Sequence, residues 1–254
     1  MTSSAPGLER AFWTDWQESW DRQQQRSLPD REERLAVLGA LIGAVAGADS
    51  PRVLDLACGC GSITSRIRGL FPTAQVVAAD IDPVLLRIAS GVFQGDQQVT
   101  LVEVDLRADD WATALPPGPF DAVVSATALH WLPPEFLDQV YLSVGKLLRQ
   151  GGLFADADQV PLLETPHLDE VAATIGAVGD DTGEGWQEWW ERAAREPQFT
   201  ALLSERNRRF GGKLHPAEFT PAAAWHLEKL RAAGFSEAGV VWRRGQAAVV
   251  AALR

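Results

Sequence analysis

The run Val53-Leu54-Asp55-Leu56-Ala57-Cys58-Gly59-Cys60-Gly61 constrains the fold more than any other part of the chain. Its first half is an apolar segment of strand length, and its second half is a turn punctuated by two glycines. Ser62-Ile63-Thr64 then opens a helix. Nineteen residues beyond Gly61 a second apolar run, Gln75-Val76-Val77-Ala78-Ala79, ends on Asp80. Strand, glycine turn, helix, and an acid closing the next strand together describe a site for an adenosine-containing ligand. The turn lets backbone approach the ligand closely, and the acid accepts from ribose hydroxyls.

Two residues argue against a dinucleotide. A third glycine would belong three places after Gly61, where Thr64 stands. Asp55, at the mouth of the turn, would repel a pyrophosphate in a poorly screened cleft. A ligand with an amino group and a sulfonium would instead be attracted by Asp55. S-adenosylmethionine carries both, and its ribose diol can donate to Asp80.

The segment 53–61 resembles the first motif of the class I S-adenosylmethionine-dependent methyltransferases, with Ala57 where that family usually has glycine. Further segments follow in order. Val77-Ala78-Ala79-Asp80-Ile81-Asp82 is similar to the second motif, and Val102-Glu103-Val104-Asp105-Leu106 to the third. Phe120 to Ser125, running into Ala128-Leu129-His130-Trp131-Leu132, resembles the fourth, and Leu147 to Gly152 the approach to the fifth strand. The fragment around His130 is similar to that of small-molecule methyltransferases of the trans-aconitate type. The resemblance covers residues 51–157 well and the last thirty moderately. It implies that Asp55, Ala57, Gly59 and Gly61 form the turn around the cofactor and that Asp80 binds ribose. It further implies that Ile81 packs on adenine, that Asp105 meets the adenine amino group beside Leu106, and that Ser125 closes the fourth strand at the cleft. It also implies a Rossmann-like, seven-stranded, mostly parallel α/β sheet with helices on both faces.

The alternation of apolar strands with helices through about residue 157 points to the same parallel sheet. We divide the chain into an N-terminal helical preface or lid (1–50), an S-adenosylmethionine-binding core (51–157), a helical cap for substrate (158–225) and a closing helix and β-hairpin (226–254). Phe12, Trp13, Trp16 and Trp20 form one stripe on a preface helix, and Asp30 stands where it could cap a second. The cap is segmented by prolines and by a glycine- and acid-rich loop at 179–185. The hairpin is expected over 238–242 and 247–252, around Gly245.

A net charge of −11 gives no electrostatic footprint for nucleic acid. No apolar run reaches the ~20 residues that cross a bilayer, and the first residues lack a signal peptide's basic and apolar regions. A cytoplasmic location is expected, with oligomeric state left open. Cys58 and Cys60, the only cysteines, read as small packing residues beside the cofactor, and no cluster of metal ligands is visible.

The acceptor should be a small metabolite enclosed by preface and cap. Trp131 and the cap residues Trp186, Trp189 and Trp190 are the candidate substrate-binding residues; the three cap tryptophans either line an aromatic pocket or glue the cap to the sheet. Arg206-Asn207-Arg208-Arg209 reads as a solvated helix face or as an anchor for an acidic acceptor. His130 is the candidate catalytic residue, either a base for an acceptor hydroxyl or amine, a group that orients an acceptor carboxylate, or a brace for its loop. His167, His215 and His226 are expected at the surface. Methyl transfer at O, N or C of a small metabolite is the leading reading. Intramolecular chemistry of the cofactor with methylthioadenosine release, or binding without turnover, stand as alternatives.

Overall fold

In the computed structural model the described residues are 6–28, 30–47, 50–175, 183–211 and 218–254. The strands β1 (Arg52–Leu56), β2 (Gln75–Asp80), β3 (Val99–Glu103), β4 (Phe120–Ala126), β5 (Leu148–Gln159), β6 (Glu237–Arg244) and β7 (Ala247–Leu253) form one sheet. Its order is β3-β2-β1-β4-β5-β7-β6. The first five strands run parallel, and β7 is antiparallel to both β5 and β6. The order reverses between β1 and β4, and the crevice at the carboxyl ends of strands beside such a reversal is where ligands bind in open α/β sheets.

Successive strand residues face opposite sides, and both sides are covered. Val53 and Val124 pack with Leu35, Leu38 and Ile42 of α2 (Arg31–Ala46) and Ile63 and Ile67 of α3 (Ser62–Leu70). Leu54 and Val123 face the other way, onto Val140 and Val144 of α5 (Pro134–Leu147) and Leu230 of α9 (Ala223–Ala232). Two-sided burial explains the unbroken Val/Ala/Leu character of these strands. Gly47, at φ 67°, ends α2 in the left-handed conformation that favours glycine.

A third apolar cluster joins preface and cap. Trp13 and Trp16 of α1 (Pro6–Ser27) pack with Val84 and Ile88 of α4 (Pro83–Val92), Trp189 and Trp190 of α7 (Trp186–Arg195), and Phe199. Phe199 ends a short 3-10 turn that leads into α8 (Thr200–Arg209). α1 meets α4 so closely that a Cβ on Gly91 would lie 1.9 Å from the Trp13 ring. The remaining cap helix, α6 (Pro166–Ala173), follows β5.

Three local expectations are revised. Asp30 occupies the N-cap position of α2, but its carboxylate accepts from Arg34 Nε at 3.0 Å and not from the helix backbone. Arg34 is buried, and a buried guanidinium needs a charged partner more than the helix needs a cap. The hairpin strands run longer than expected, with β6 beginning at Glu237 and ending at Arg244. His226 is buried, its Nδ1 2.7 Å from the Tyr141 hydroxyl, and burial pushes it down to about 4, so the ring is neutral. His167 is exposed, while His215 and positions 179–182 of the cap loop lie outside the described residues.

Candidate active site

A cavity of about 480 Å³ opens at the carboxyl ends of the parallel strands. Ala57, Gly59, Asp80, Ile81, Asp105 and Leu106 line the side of β1 to β3, His130, Trp131 and Asp158 the side of β4 and β5, and Trp186 and Trp190 reach it from the cap. The structure thus gathers ten of the fourteen sequence-derived site residues into the lining of one cavity. Asp55, Gly61, Ser125 and Trp189 stand behind it.

The turn after β1 places three residues in the left-handed region: Ala57 at φ 58°, Gly59 at 55° and Gly61 at 82°. Gly61 has a steric reason too, since a Cβ there would come within 2.5 Å of the Phe93 ring. Ala57 has the usual reason for glycine without being glycine. Asp80 ties the turn to its neighbour: Gly59 N donates to its Oδ2 at 2.7 Å and Asp82 N to its Oδ1 at 2.7 Å. Burial pushes Asp80 up to about 6, against the opposing effect of these bonds. Each carboxylate oxygen keeps a second acceptor position, so Asp80 can still take a diol.

Asp55 is fully buried, and its Oδ2 accepts from Thr64 N (3.0 Å) and Thr64 Oγ1 (2.6 Å). It braces the start of α3 from beneath the turn and does not present a carboxylate to the cavity. Burial pushes it up to about 7. Its Oδ1 and the Ser125 hydroxyl are buried without a protein partner. A turn of bare backbone beside a carboxylate with open acceptor positions fits the cationic adenosine ligand expected there.

Asp105 is held by Arg107 through two contacts of 2.8 Å. Burial opposes its ionisation, but the hydrogen bonds and charge of Arg107 outweigh that and keep it below the ordinary carboxylate range. Cys58 lines the cavity, and burial raises its thiol well above the usual value. Cys60 is buried, with its carbonyl accepting from Gln17 Nε2 at 2.6 Å.

On the facing side His130 Nδ1 lies 2.9 and 2.8 Å from the two oxygens of Asp158. Its loop is fixed twice more. Phe219 N donates to the His130 carbonyl at 2.7 Å, and the imidazole packs on Trp131 with centroids 4.4 Å apart. Thr127, just ahead, stands at φ 52°, a strained conformation for a β-branched residue. Trp186 and Trp190 reach the cavity, whereas Trp189 turns away into the preface, its Nε1 donating to Ser19 Oγ at 2.9 Å.

Sequence reasoning missed Asp158 and the cavity role of Trp20, and it read Arg206 only as solvated or as an anchor for an acidic acceptor. Asp158 was signalled by Asp156-Ala157-Asp158, two acids on one face at the end of a strand. Burial, and then Asp158, raises Asp156 well above the carboxylate range. Arg206 is buried and not solvated. Its Nε donates to Asp82 Oδ2 at 2.5 Å while the guanidinium lies 4.0 Å over the Trp190 ring. Arg209, one turn on, donates to the Ile81 carbonyl at 2.9 Å. Arginine's planar cation can pair and stack at once. Among the described residues no group of three or more His, Cys, Asp or Glu side chains is placed to hold a metal, and no helix is long and apolar enough to cross a membrane.

Residues 53–152 match the family described as methyltransferase domain. The chain is 34% identical over 143 residues to a trans-aconitate 2-methyltransferase of Azoarcus sp. (strain BH72), which covers 54% of this chain and 49% of that protein. It is 27% identical over 105 residues to a malonyl-[acyl-carrier protein] O-methyltransferase of Paenibacillus sp. (strain JDR-2), covering 41% and 37%. The chain therefore matches about half the length, or less, of these curated relatives. In fold it is similar to the CurJ carbon methyltransferase, with a TM-score of 0.61 at 15% identity over 92% of this chain and 57% of that one. Sheet order, glycine turn and family match together define a class I S-adenosylmethionine-dependent methyltransferase domain.

Proposed function

We propose that this protein transfers the methyl group of S-adenosylmethionine to an oxygen or nitrogen of a small metabolite. The observation that carries the reading is the two-sided cavity, with a nucleotide-binding turn and Asp80 on one wall and His130, backed by Asp158, on the other. The cofactor supplies a methyl carbon already activated by its sulfonium. What the chain must then supply is in-line placement at about 3–3.5 Å and a dry enclosure. Asp80 and the turn at 57–59 hold the ribose and methionine ends, Ile81 and Leu106 flank the adenine, and Asp105 faces its amino group. Trp20, Trp131, Trp186 and Trp190 give the acceptor aromatic walls and suit a nearby cation. His130 takes the acceptor's proton.

The partner is a small molecule and not nucleic acid, a reading supported by the net charge of −11. The preface and cap form the acceptor side of the enclosure.

Isotopically labelled S-adenosylmethionine incubated with a metabolite extract and read by mass spectrometry tests the reading. A labelled methyl product is expected. Methylthioadenosine release without one would overturn it. Asp80→Ala should weaken cofactor binding through loss of charge-assisted hydrogen bonds worth about 1.5–3 kcal/mol each, as measured by calorimetric titration. Unchanged affinity would remove Asp80 from the site.

A further inference from the structure

The cavity's charges and its histidine say more about the acceptor than the family does. Five carboxylates line it: Asp80, Asp82, Asp105, Asp158 and Glu218. Against them stand two guanidiniums, and both are already engaged, Arg107 with Asp105 and Arg206 with Asp82. Among the described lining residues every guanidinium already sits in an ion pair, and the carboxylates outnumber them five to two. A carboxylate brought into this enclosure would be stripped of water beside a surplus of like charges.

The histidine points the same way. Asp158 engages Nδ1 with both oxygens and is itself fixed by Gln159 N at 2.8 Å. A carboxylate accepts only, so Nδ1 carries the proton, and in the neutral ring Nε2 is the nitrogen with the lone pair. A base in this state is idle toward a carboxylate acceptor, which has no proton to lose. It is useful to a hydroxyl or an amine N–H.

We propose, resting on the methyl-transfer reading above, that the cleft selects a neutral or cationic acceptor methylated at a hydroxyl or amine. In this proposal Asp158 is the positioning residue that presents His130 Nε2 to the acceptor's proton. As the acceptor atom forms its bond to the methyl carbon, the carbon–sulfur bond breaks with its electron pair left on sulfur. The acceptor's proton passes to Nε2, and the resulting imidazolium stays paired with Asp158. The selection runs opposite to the acidic acceptors that the names of the curated relatives describe.

Two experiments test it. Nitrogen NMR of histidine-labelled, cofactor-free protein at pH 8 should show His130 protonated at Nδ1 and bare at Nε2, with Asp158→Asn losing that preference. Protonation at Nε2 in the unaltered protein would overturn the base assignment without touching methyl transfer. Second, the metabolite extract is split by anion exchange and each fraction is incubated with labelled cofactor, with trans-aconitate added as an acidic probe. Label in the non-anionic fraction is expected. Label in the anionic fraction or on trans-aconitate would overturn the inference while leaving the methyltransferase reading standing. Label in neither would sink both. On the acceptor so found, Asp158→Asn should lower kcat about 10²–10⁴-fold with KM and cofactor affinity nearly unchanged, and Asp158→Glu should recover part of it. Full turnover in Asp158→Asn would remove the positioning role.

Discussion

Ala57 holds a backbone conformation, φ 58°, that costs a residue with a Cβ about 1–2 kcal/mol. Ala57→Gly relieves it at the price of a floppier unfolded chain. The expected net gain of about 1 kcal/mol corresponds to a rise of about 2–4 °C in Tm, measured by thermal unfolding without cofactor. An unchanged or lower Tm would show that the surrounding turn has relaxed around the alanine. Asp55 and Asp80 make a second prediction. Their folded-state values, about 7 and about 6, lie above the ordinary 3.8, raised chiefly by burial. Between roughly pH 4 and 7 the folded chain therefore holds more protons than the unfolded one. Stability of the cofactor-free protein should fall as pH rises through that window and level off above 7. Cofactor binding should follow the opposite trend, because a cation favours the ionised carboxylates. Its affinity should improve over the same window with release of protons, measurable by calorimetry in buffers of different ionisation heat. Binding that does not change with pH would contradict this.

The elements differ in how plainly the sequence announces them. β1, β2 and β4 are buried on both faces, so their apolar runs stand out, and their ends mark Asp55, Asp80 and Ser125 directly. The side-chain directions at those ends are less legible. Asp55 and Ser125 are turned inward by the local geometry of the turn and strand, which no spacing rule reports. α8 is harder still. Its arginine-rich stretch has the composition of a solvated face, and only the packing of cap on core reveals that Arg206 is wedged between Asp82 and Trp190. Asp82 also caps α4 through Val84 N and Leu85 N, so one carboxylate serves two helices. Arg206→Leu should cost about 3–5 kcal/mol by leaving that carboxylate buried without its cation. Arg206→Lys should restore only part, since an ammonium cannot pair and stack together. Denaturant titration checks both, and a loss under 1 kcal/mol would mean that water replaces the guanidinium.

At the scale of the molecule, the order of the sheet explains why residues as distant as Asp80 and Asp158 face one cavity: both sit at the carboxyl ends of parallel strands near the reversal between β1 and β4. That convergence was legible, because it follows from the βαβ rhythm. Which residues complete the acceptor wall was not, because it depends on how α1, α7 and α8 settle over the sheet, and aromatic content alone does not decide which ring faces inward. Trp189 and Trp190 are neighbours in sequence, yet only Trp190 lines the cavity.

α1 touches both halves of the site. Gln17 donates to the Cys60 carbonyl, Asp21 accepts from Ser62, and Trp16 and Trp20 stack edge-on against Trp189. One helix thus fastens the cofactor turn and the cap to each other, and neither can loosen without straining the same set of bonds. Amide hydrogen exchange should therefore report a single cooperative opening for the amides of residues 58–64 and those of α7, with matching protection and a matching response to mild denaturant. Bound cofactor should then slow exchange in α7, although α7 contributes only Trp186 and Trp190 to the cavity. Independent exchange of the two segments would mean that α1 merely lies across them. A shared rate would make the preface the part through which a filled cofactor pocket makes the acceptor pocket rigid.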